Sequence, residues 1–268
     1  MQCISAVTPT ICQLMGVQRP ATSQAEGIDA VCAAAKASLG EGKLDRVMLY
    51  APDCIGTQLI KRYQSSFQSV YRIAPTAVPL RAAFPPKTPV CFGTMLSGTQ
   101  PAVHGIKEYV RPVLKVATIF DAMIAAGKRC AIVAVPDCSM AKIFRERKMD
   151  YFTEADDEAV MLKTLELLQT RDEWDFMVCY QIGYDKLGHR TGPYSEASIA
   201  QMNEKIANFG RLFEGVQKAW SDHRWMLTFS PDHGSHVDPT SGKADHCWDI
   251  PHDMDLHHFF GFGGKPAQ

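Results

Sequence analysis

No stretch of the 268-residue chain approaches the roughly 18 consecutive apolar residues of a membrane-spanning helix, so no membrane association of that kind is expected. Charge of one sign is equally scarce. With 28 Lys and Arg against 29 Asp and Glu the formal net charge is −1, which offers no basic field to a nucleic-acid polymer or an anionic lipid. The nine cysteines include no CxxC pair and their number is odd. That pattern argues against a secreted disulfide framework and for reduced thiols in a cytoplasmic protein, most of them small buried apolar residues. The opening MQCISAVTPTICQLMG has no basic segment leading into a clean apolar stretch, so no signal peptide is expected. Long internal repeats and low-complexity tracts are absent too, which excludes a solenoid.

What is present is an ordinary globular composition, 46% apolar and 21% charged, over a length that suits one α/β domain spanning residues 1–268. Four short apolar runs punctuate it: Val47–Tyr50, CAIVAV from Cys130, FMVCY from Phe176 and WMLTF from Trp225. None alternates, as expected of strands in a parallel sheet covered by helices on both faces. Between them lie segments with helical spacing. Val116, Ile119, Phe120, Met123 and Ile124 form one stripe, stopped by Gly127. A second helix is expected from Thr153, with Glu154, Asp156, Asp157 and Glu158 at the positive end of its dipole. The longest stripe runs from Ile199 to Trp220, with Ser195 as its N-cap. Strands alternating with helices predict a doubly wound, mostly parallel sheet. Residues 1–42 are less regular, and Gly40 and Gly42 suggest a hinge into the first strand.

Ligands of open parallel sheets bind beyond the carboxyl ends of the strands, so the residues that follow each run carry the functional signal. Asp53 follows the first run, Asp185 and His189 the third, and Asp232 and His233 the fourth. The second run ends in Asp137, without a histidine partner. Asp185 and His189 are i and i+4, which one helical turn brings to the same side. Asp232 and His233 are adjacent and share a site only where the chain turns, as Pro231 and Gly234 encourage. A mixed Asp/His set suits zinc, manganese or iron better than calcium. Each residue alone has a plainer explanation, a helix cap or a hydrogen-bonded surface group; their joint placement is what argues for metal. Thr88 precedes a small-residue segment that enters a helix at Pro89. The positive end of that helix favours a negative oxygen there, so Thr88 is a nucleophile if metals surround it and a cap if they do not. Lys87 reads equally well as solvated.

At these residues the sequence resembles the alkaline phosphatase superfamily, in its type I phosphodiesterase/nucleotide pyrophosphatase branch. The segments that carry the resemblance are YAPDCIG at Tyr50–Gly56, KTPVCFGTMLSGTQPAVHGI at Lys87–Ile106, YDKLGHRTGP at Tyr184–Pro193, SPDHG at Ser230–Gly234 and ADHCWD at Ala244–Asp249. The resemblance implies two divalent metal ions, first of all Zn2+, with Mn2+ or iron as alternatives. One would be held by Asp185, His189 and His246, the other by Asp53, Asp232, His233 and the oxygen of Thr88, which becomes phosphorylated. His246 is selected over His236, His252, His257 and His258 by the resemblance alone, and His104 is expected to support the nucleophile loop. Tyr109 falls where the branch has a phosphate-holding Asn, and Cys247 where it has Gly. The expected function is therefore hydrolysis of a small phosphorylated substrate, a phosphodiester or phosphomonoester. A phosphonate or sulfate ester hydrolase on the same scaffold and a non-catalytic metal-binding homologue are the alternatives. The chain is too short for a large cap domain, and nothing in it excludes a homo-oligomer.

Overall fold

The four apolar runs fold as strands lying side by side. The computed structural model describes residues 1–170 and 174–265. Among these the strands are β1 (Gln2–Cys3), β2 (Arg46–Pro52), β3 (Thr76–Arg81), β4 (Cys130–Ala134), β5 (Asp150–Thr153), β6 (Phe176–Gln181), β7 (Arg224–Phe229), β8 (His236–Val237), β9 (Ala244–Asp245) and β10 (Asp255–Gly264). β8 and β9 form a separate antiparallel pair, and the other eight make one sheet in the order β1-β3-β10-β7-β2-β6-β4-β5. β10 alone runs against its neighbours. The fold is thus α/β with a mostly parallel central sheet.

The helices are α1 (Val7–Met15), α2 (Asp29–Leu39), α3 (Thr57–Arg62), α4 (Gln68–Ile73), α5 (Thr88–Ser97), α6 (Pro101–His104), α7 (Ile119–Ala125), α8 (Ser139–Ile143), α9 (Asp157–Gln169), α10 (Gly183–Thr191), α11 (Glu196–Ala219) and α12 (Pro251–Met254). They cover both faces. In β2, Leu49 and Ala51 enter the core formed with α1, α2, α5, α7 and α8, while Met48 and Tyr50 enter the one formed with α3, α4, α9 and α11. This is why every residue of β2, β4 and β6 is buried and why none of those runs alternates. Among the described residues no helix is long and apolar enough to cross a membrane. All nine cysteines are unpaired, six of them buried.

The helix signals hold at α11, where the Ser195 side chain accepts the Ser198 N–H, and at α7, where Thr118 and Asp121 form a capping box. Thr153 does not start a helix. It ends β5, because Tyr151 and Phe152 pair with Ile132 and Val133 of β4, and the N-cap of α9 is Asp156, accepting from Ala159 N. Gly40 and Gly42 are not a free hinge either. The Arg224 guanidinium donates to the carbonyls of Leu39, Gly40 and Lys43 at 2.8–3.0 Å and pins that turn. Residues 1–42, irregular in pattern, supply β1, α1 and α2; α1 is bound to α5 by the Thr8 hydroxyl donating to the Met95 carbonyl at 2.7 Å.

Candidate metal centre

β7, β2 and β6 are neighbours and parallel, so their carboxyl ends emerge together, in a register that sets Tyr50 beside Phe229 and Pro52 beside Gln181. Asp53 leaves β2 there, its N–H donating to Gln181 O at 2.9 Å, and Ser230 leaves β7 with its N–H on Tyr50 O at 2.8 Å. The chain then turns through Pro231 so that Asp232 and His233 face back toward Asp53. Gly234 permits the turn: a Cβ on it would lie 2.1 Å from the His252 carbonyl. After β6, α10 carries Asp185 and His189 one turn apart.

The result is two clusters. Asp53, Asp232 and His233 have ligand atoms within 4.8 Å of one another, and so have Asp185, His189 and His246. His233 Nε2 is 3.5 Å from Asp53 Oδ1, 3.3 Å from Asp232 Oδ2 and 3.3 Å from Thr88 Oγ1. Asp185 Oδ1 is 3.3 Å from His189 Nε2 and 3.5 Å from His246 Nε2. The clusters share a wall, because the His246 ring stacks on that of His233 with centroids 4.0 Å apart.

All three histidines turn the same nitrogen outward. His233 Nδ1 meets Gly234 O at 3.1 Å, His189 Nδ1 meets Ala244 O at 2.9 Å and His246 Nδ1 meets Pro86 O at 2.7 Å. A carbonyl oxygen only accepts, so each Nδ1 carries a proton and each Nε2 is the ring atom turned to the cluster, where it can serve as a ligand. His189 Nε2 and His246 Nε2 face each other at 2.9 Å, an arrangement that calls for a cation or a shared proton between them. Asp53 Oδ1, Asp185 Oδ1 and Asp232 Oδ2 are buried and receive no hydrogen bond. Buried carboxylates of this kind are costly unless paired or coordinated. The donor chemistry therefore fits two divalent cations.

The titration behaviour expresses the same crowding. Burial, then the charges of Asp232 and Asp185, push Asp53 well above the carboxylate range, although the Tyr180 hydroxyl donates to its Oδ2. Burial lifts Asp232 to about 7. Burial also pushes His233 well below the usual imidazole range, with the neighbouring His246 adding to it. Burial would raise Asp185 as well, but the rings of His189, 3.3 Å from its Oδ1, and of His246 and His233 hold it at about 2, and the same carboxylate raises His189 in turn.

Thr88 is the first residue of α5, a helix buried along its whole length, with Lys87 half-buried at the N-cap. His104 lies beneath this helix, its Nε2 2.9 Å from the Thr94 hydroxyl, and burial lowers it to about 4. The structure thus brings Asp53, Thr88, Asp185, His189, Asp232, His233 and His246 to one place. Tyr109 belongs to neither cluster: it stands exposed between α6 and α7, with the Arg111 guanidinium 5.6 Å from its ring. Asp137 is turned to solvent and paired with Lys142 at 3.0 Å. His236 also lies outside the clusters, with Asp253 on its Nδ1 at 2.9 Å and the Trp248 ring stacked on it at 4.2 Å. Tyr180 and the three carbonyls behind the histidines were missed by sequence reasoning. A buried tyrosine in an apolar strand reads as core, and backbone carbonyls leave no trace in the side-chain pattern.

No curated protein matches the chain. Among solved structures it is similar to murine ectonucleotide pyrophosphatase / phosphodiesterase 5, with a TM-score of 0.55 at 18% identity over 73% of this chain and 58% of that one. It is also similar to phosphonoacetate hydrolase from Sinorhizobium meliloti in complex with phosphonoformate, with a TM-score of 0.57 at 17% identity over 78% and 62% of the two chains. At these identities the likeness is one of fold, and this chain spans about three fifths of the length of either neighbour. Residues 51–249 match the family model of type I phosphodiesterase / nucleotide pyrophosphatase. That span takes in every residue of both clusters and well over half of the sequence, and the chain belongs to the type I phosphodiesterase / nucleotide pyrophosphatase family.

Proposed function

We propose that the chain is a metal-dependent hydrolase of small phosphate esters that works through a phosphothreonine on Thr88. The observation that carries this is the convergence of three imidazole Nε2 atoms and three donor-less carboxylate oxygens beside one hydroxyl. Asp185, His189 and His246 would hold one ion, and Asp53, Asp232, His233 and Thr88 Oγ1 the other. Two divalent cations, zinc first among them, supply the charge that ionises a threonine hydroxyl, stabilises a departing alkoxide and activates water.

The protein's own groups do the rest. The Thr88 hydroxyl gives up its proton to solvent and its Oγ1 attacks phosphorus as the bond from phosphorus to the ester oxygen breaks; that oxygen takes a proton from water and leaves as the alcohol. Water then attacks the phosphothreonine, releasing the phosphate and restoring Thr88. The first turn of α5 stabilises negative charge on Thr88 Oγ1 through its dipole. His233, locked by the Gly234 carbonyl, keeps an unprotonated nitrogen at that oxygen. His104 and the packed length of α5 hold the helix still. Tyr109 is assigned a contact with the part of the substrate that does not react, in the place where the family has Asn.

The test is hydrolysis of a nitrophenyl phosphate monoester, the bis(nitrophenyl) diester and a nitrophenyl phosphonate, each with and without chelator. At least one phosphate ester should be turned over, at a rate that chelation abolishes and added zinc or manganese restores. Chelator-resistant turnover contradicts the proposal. Preference for the phosphonate would replace the phosphate ester by a phosphonate, and Tyr109→Asn should then change the ratio among the three substrates.

A further inference from the structure

Half of the metal centre hangs on one helix, and a single buried carboxylate holds the start of that helix. α10 supplies Asp185 and His189, but no side chain of its own caps it. Asp157, at the start of α9, does so across the fold: its Oδ1 accepts Ile182 N at 3.0 Å and its Oδ2 accepts Gly183 N at 2.7 Å. The same Oδ2 receives Lys205 Nζ at 2.7 Å, and Lys205 is fully buried with Glu204 as its second acidic partner at 3.0 Å. Asp157 thus faces two positive partners at once, an ammonium and the N-terminal end of the α10 dipole.

The clamp extends into the sheet. The Asp157 carbonyl accepts Gln181 Nε2 at 2.6 Å, and Gln181 Oε1 accepts the Tyr50 hydroxyl at 2.6 Å and Asn208 Nδ2 at 3.2 Å. Four elements, β2, β6, α9 and α11, are in this way tied to the first turn of α10. Gly183 leaves no slack: a Cβ there would lie 2.7 Å from Asp157 Oδ2 and 2.3 Å from Gln201 Oε1. The polar groups are mutually satisfied, and such networks hold one geometry.

We infer that Asp157, held by Lys205, is a positioning residue for the Asp185–His189–His246 half of the metal centre. His246 reaches that half from beyond β9, anchored on Pro86, so its fit to Asp185 and His189 depends on where α10 sits. The Asp53–Asp232–His233 half is built from the ends of β2 and β7 and takes nothing from α10. Loss of the clamp therefore weakens one half-site and spares the other. The inference rests on the proposed binding of two ions.

The experiment is calorimetric titration of zinc into the full chain, with Asp185→Asn and Asp232→Asn used to assign each binding event to its half-site. Asp157→Asn retains one accepting oxygen where the carboxylate has two. It should weaken the Asp185 half-site about ten- to a hundredfold, the usual effect of removing a group behind a metal ligand, and leave the other within about twofold. The double variant Asp157→Asn/Lys205→Met removes the buried ion pair as a unit and guards against simple misfolding. It and Gly183→Ala should show the same one-sided loss. Met123→Ala, a truncation in the opposite core, should lower the melting temperature without one-sided loss. The inference is overturned if the double variant and Gly183→Ala keep wild-type affinity at the Asp185 half-site, or if both half-sites weaken together. A wild-type chain that binds no zinc overturns the two-ion centre itself and the positioning role with it. One that binds two ions, with the variants unaffected, overturns the positioning role alone.

Discussion

Thr88→Ala should reduce phosphate ester hydrolysis by at least about a thousandfold, because the attacking atom itself is removed. The fold should survive. Thr88 is the first residue of α5, alanine is a good helix former, and the missing hydroxyl had one side-chain partner, His233 Nε2 at 3.3 Å. Thr88→Ser, which keeps a hydroxyl at the same helix start, should retain measurable turnover. With the nitrophenyl ester that the wild type hydrolyses fastest, a rapid release of about one equivalent of nitrophenol is expected where breakdown of the phosphothreonine is slower than its formation. No release is expected from Thr88→Ala. If Thr88→Ala hydrolyses the ester at the wild-type rate, Thr88 is not the nucleophile.

Removing metal should expose a conflict between stability and function at Asp232. Its carboxyl is fully buried and pushed up to about 7, above the value near 4 that a carboxyl has in an unfolded chain. Without metal, the folded state holds this proton over a pH range in which the unfolded state has lost it. Rising pH between about 4 and about 7 therefore costs the metal-free protein stability. Asp232→Asn removes the charge but keeps an oxygen for the Cys54 N–H, which now sits 3.2 Å from Asp232 Oδ1. In chelator the variant should melt above the wild type at pH 8, and the gap should close toward pH 4. With metal the order should reverse. An ion present at a thousand times its dissociation constant stabilises by about 4 kcal/mol, roughly 10 °C for a chain of this size. The wild type should gain more of this than the variant, and the gain should grow from pH 5 to pH 8 as the proton leaves Asp232. Calorimetric melts at the two pH values, with and without chelator, check both signs.

The middle of the sheet was legible in the sequence because its chemistry is unmixed. β2, β4, β6 and β7 are apolar on both sides, the composition expected of strands covered by helices on both faces of the sheet. The outer strands were not. β3 contains Pro79 and is only partly buried, β10 carries a His257–His258 pair and three glycines, and β1 is two residues long. Their strand character comes from neighbours in the fold rather than from their own pattern. Thr153 failed for the same reason: pairing with β4 outweighed the local signal for a helix start.

At the site, Asp53, Asp185, His189, Asp232 and His233 followed from strand ends and spacing, because three adjacent parallel strands must deliver their next residues to one place. His246 did not. It arrives on a segment after the short β8–β9 pair, far from any apolar run, and only the resemblance singled it out among five histidines. Least legible of all were the groups that hold the ligands in position, namely the Gly234, Ala244 and Pro86 carbonyls, Tyr180 and Asp157. Their roles exist only after folding. Asp157 had a plain local explanation as one of several acids near a helix start, and that hid its contact with Lys205 and α10.

Zinc content after exhaustive dialysis against a low-zinc buffer tests the centre most directly, measured by elemental analysis on wild type, Asp185→Asn and Asp232→Asn. Two ions per wild-type chain and about one in each variant are predicted, with the two variants losing different ions. A wild-type chain that retains none, or variants that retain both, would contradict a centre built from these seven side chains.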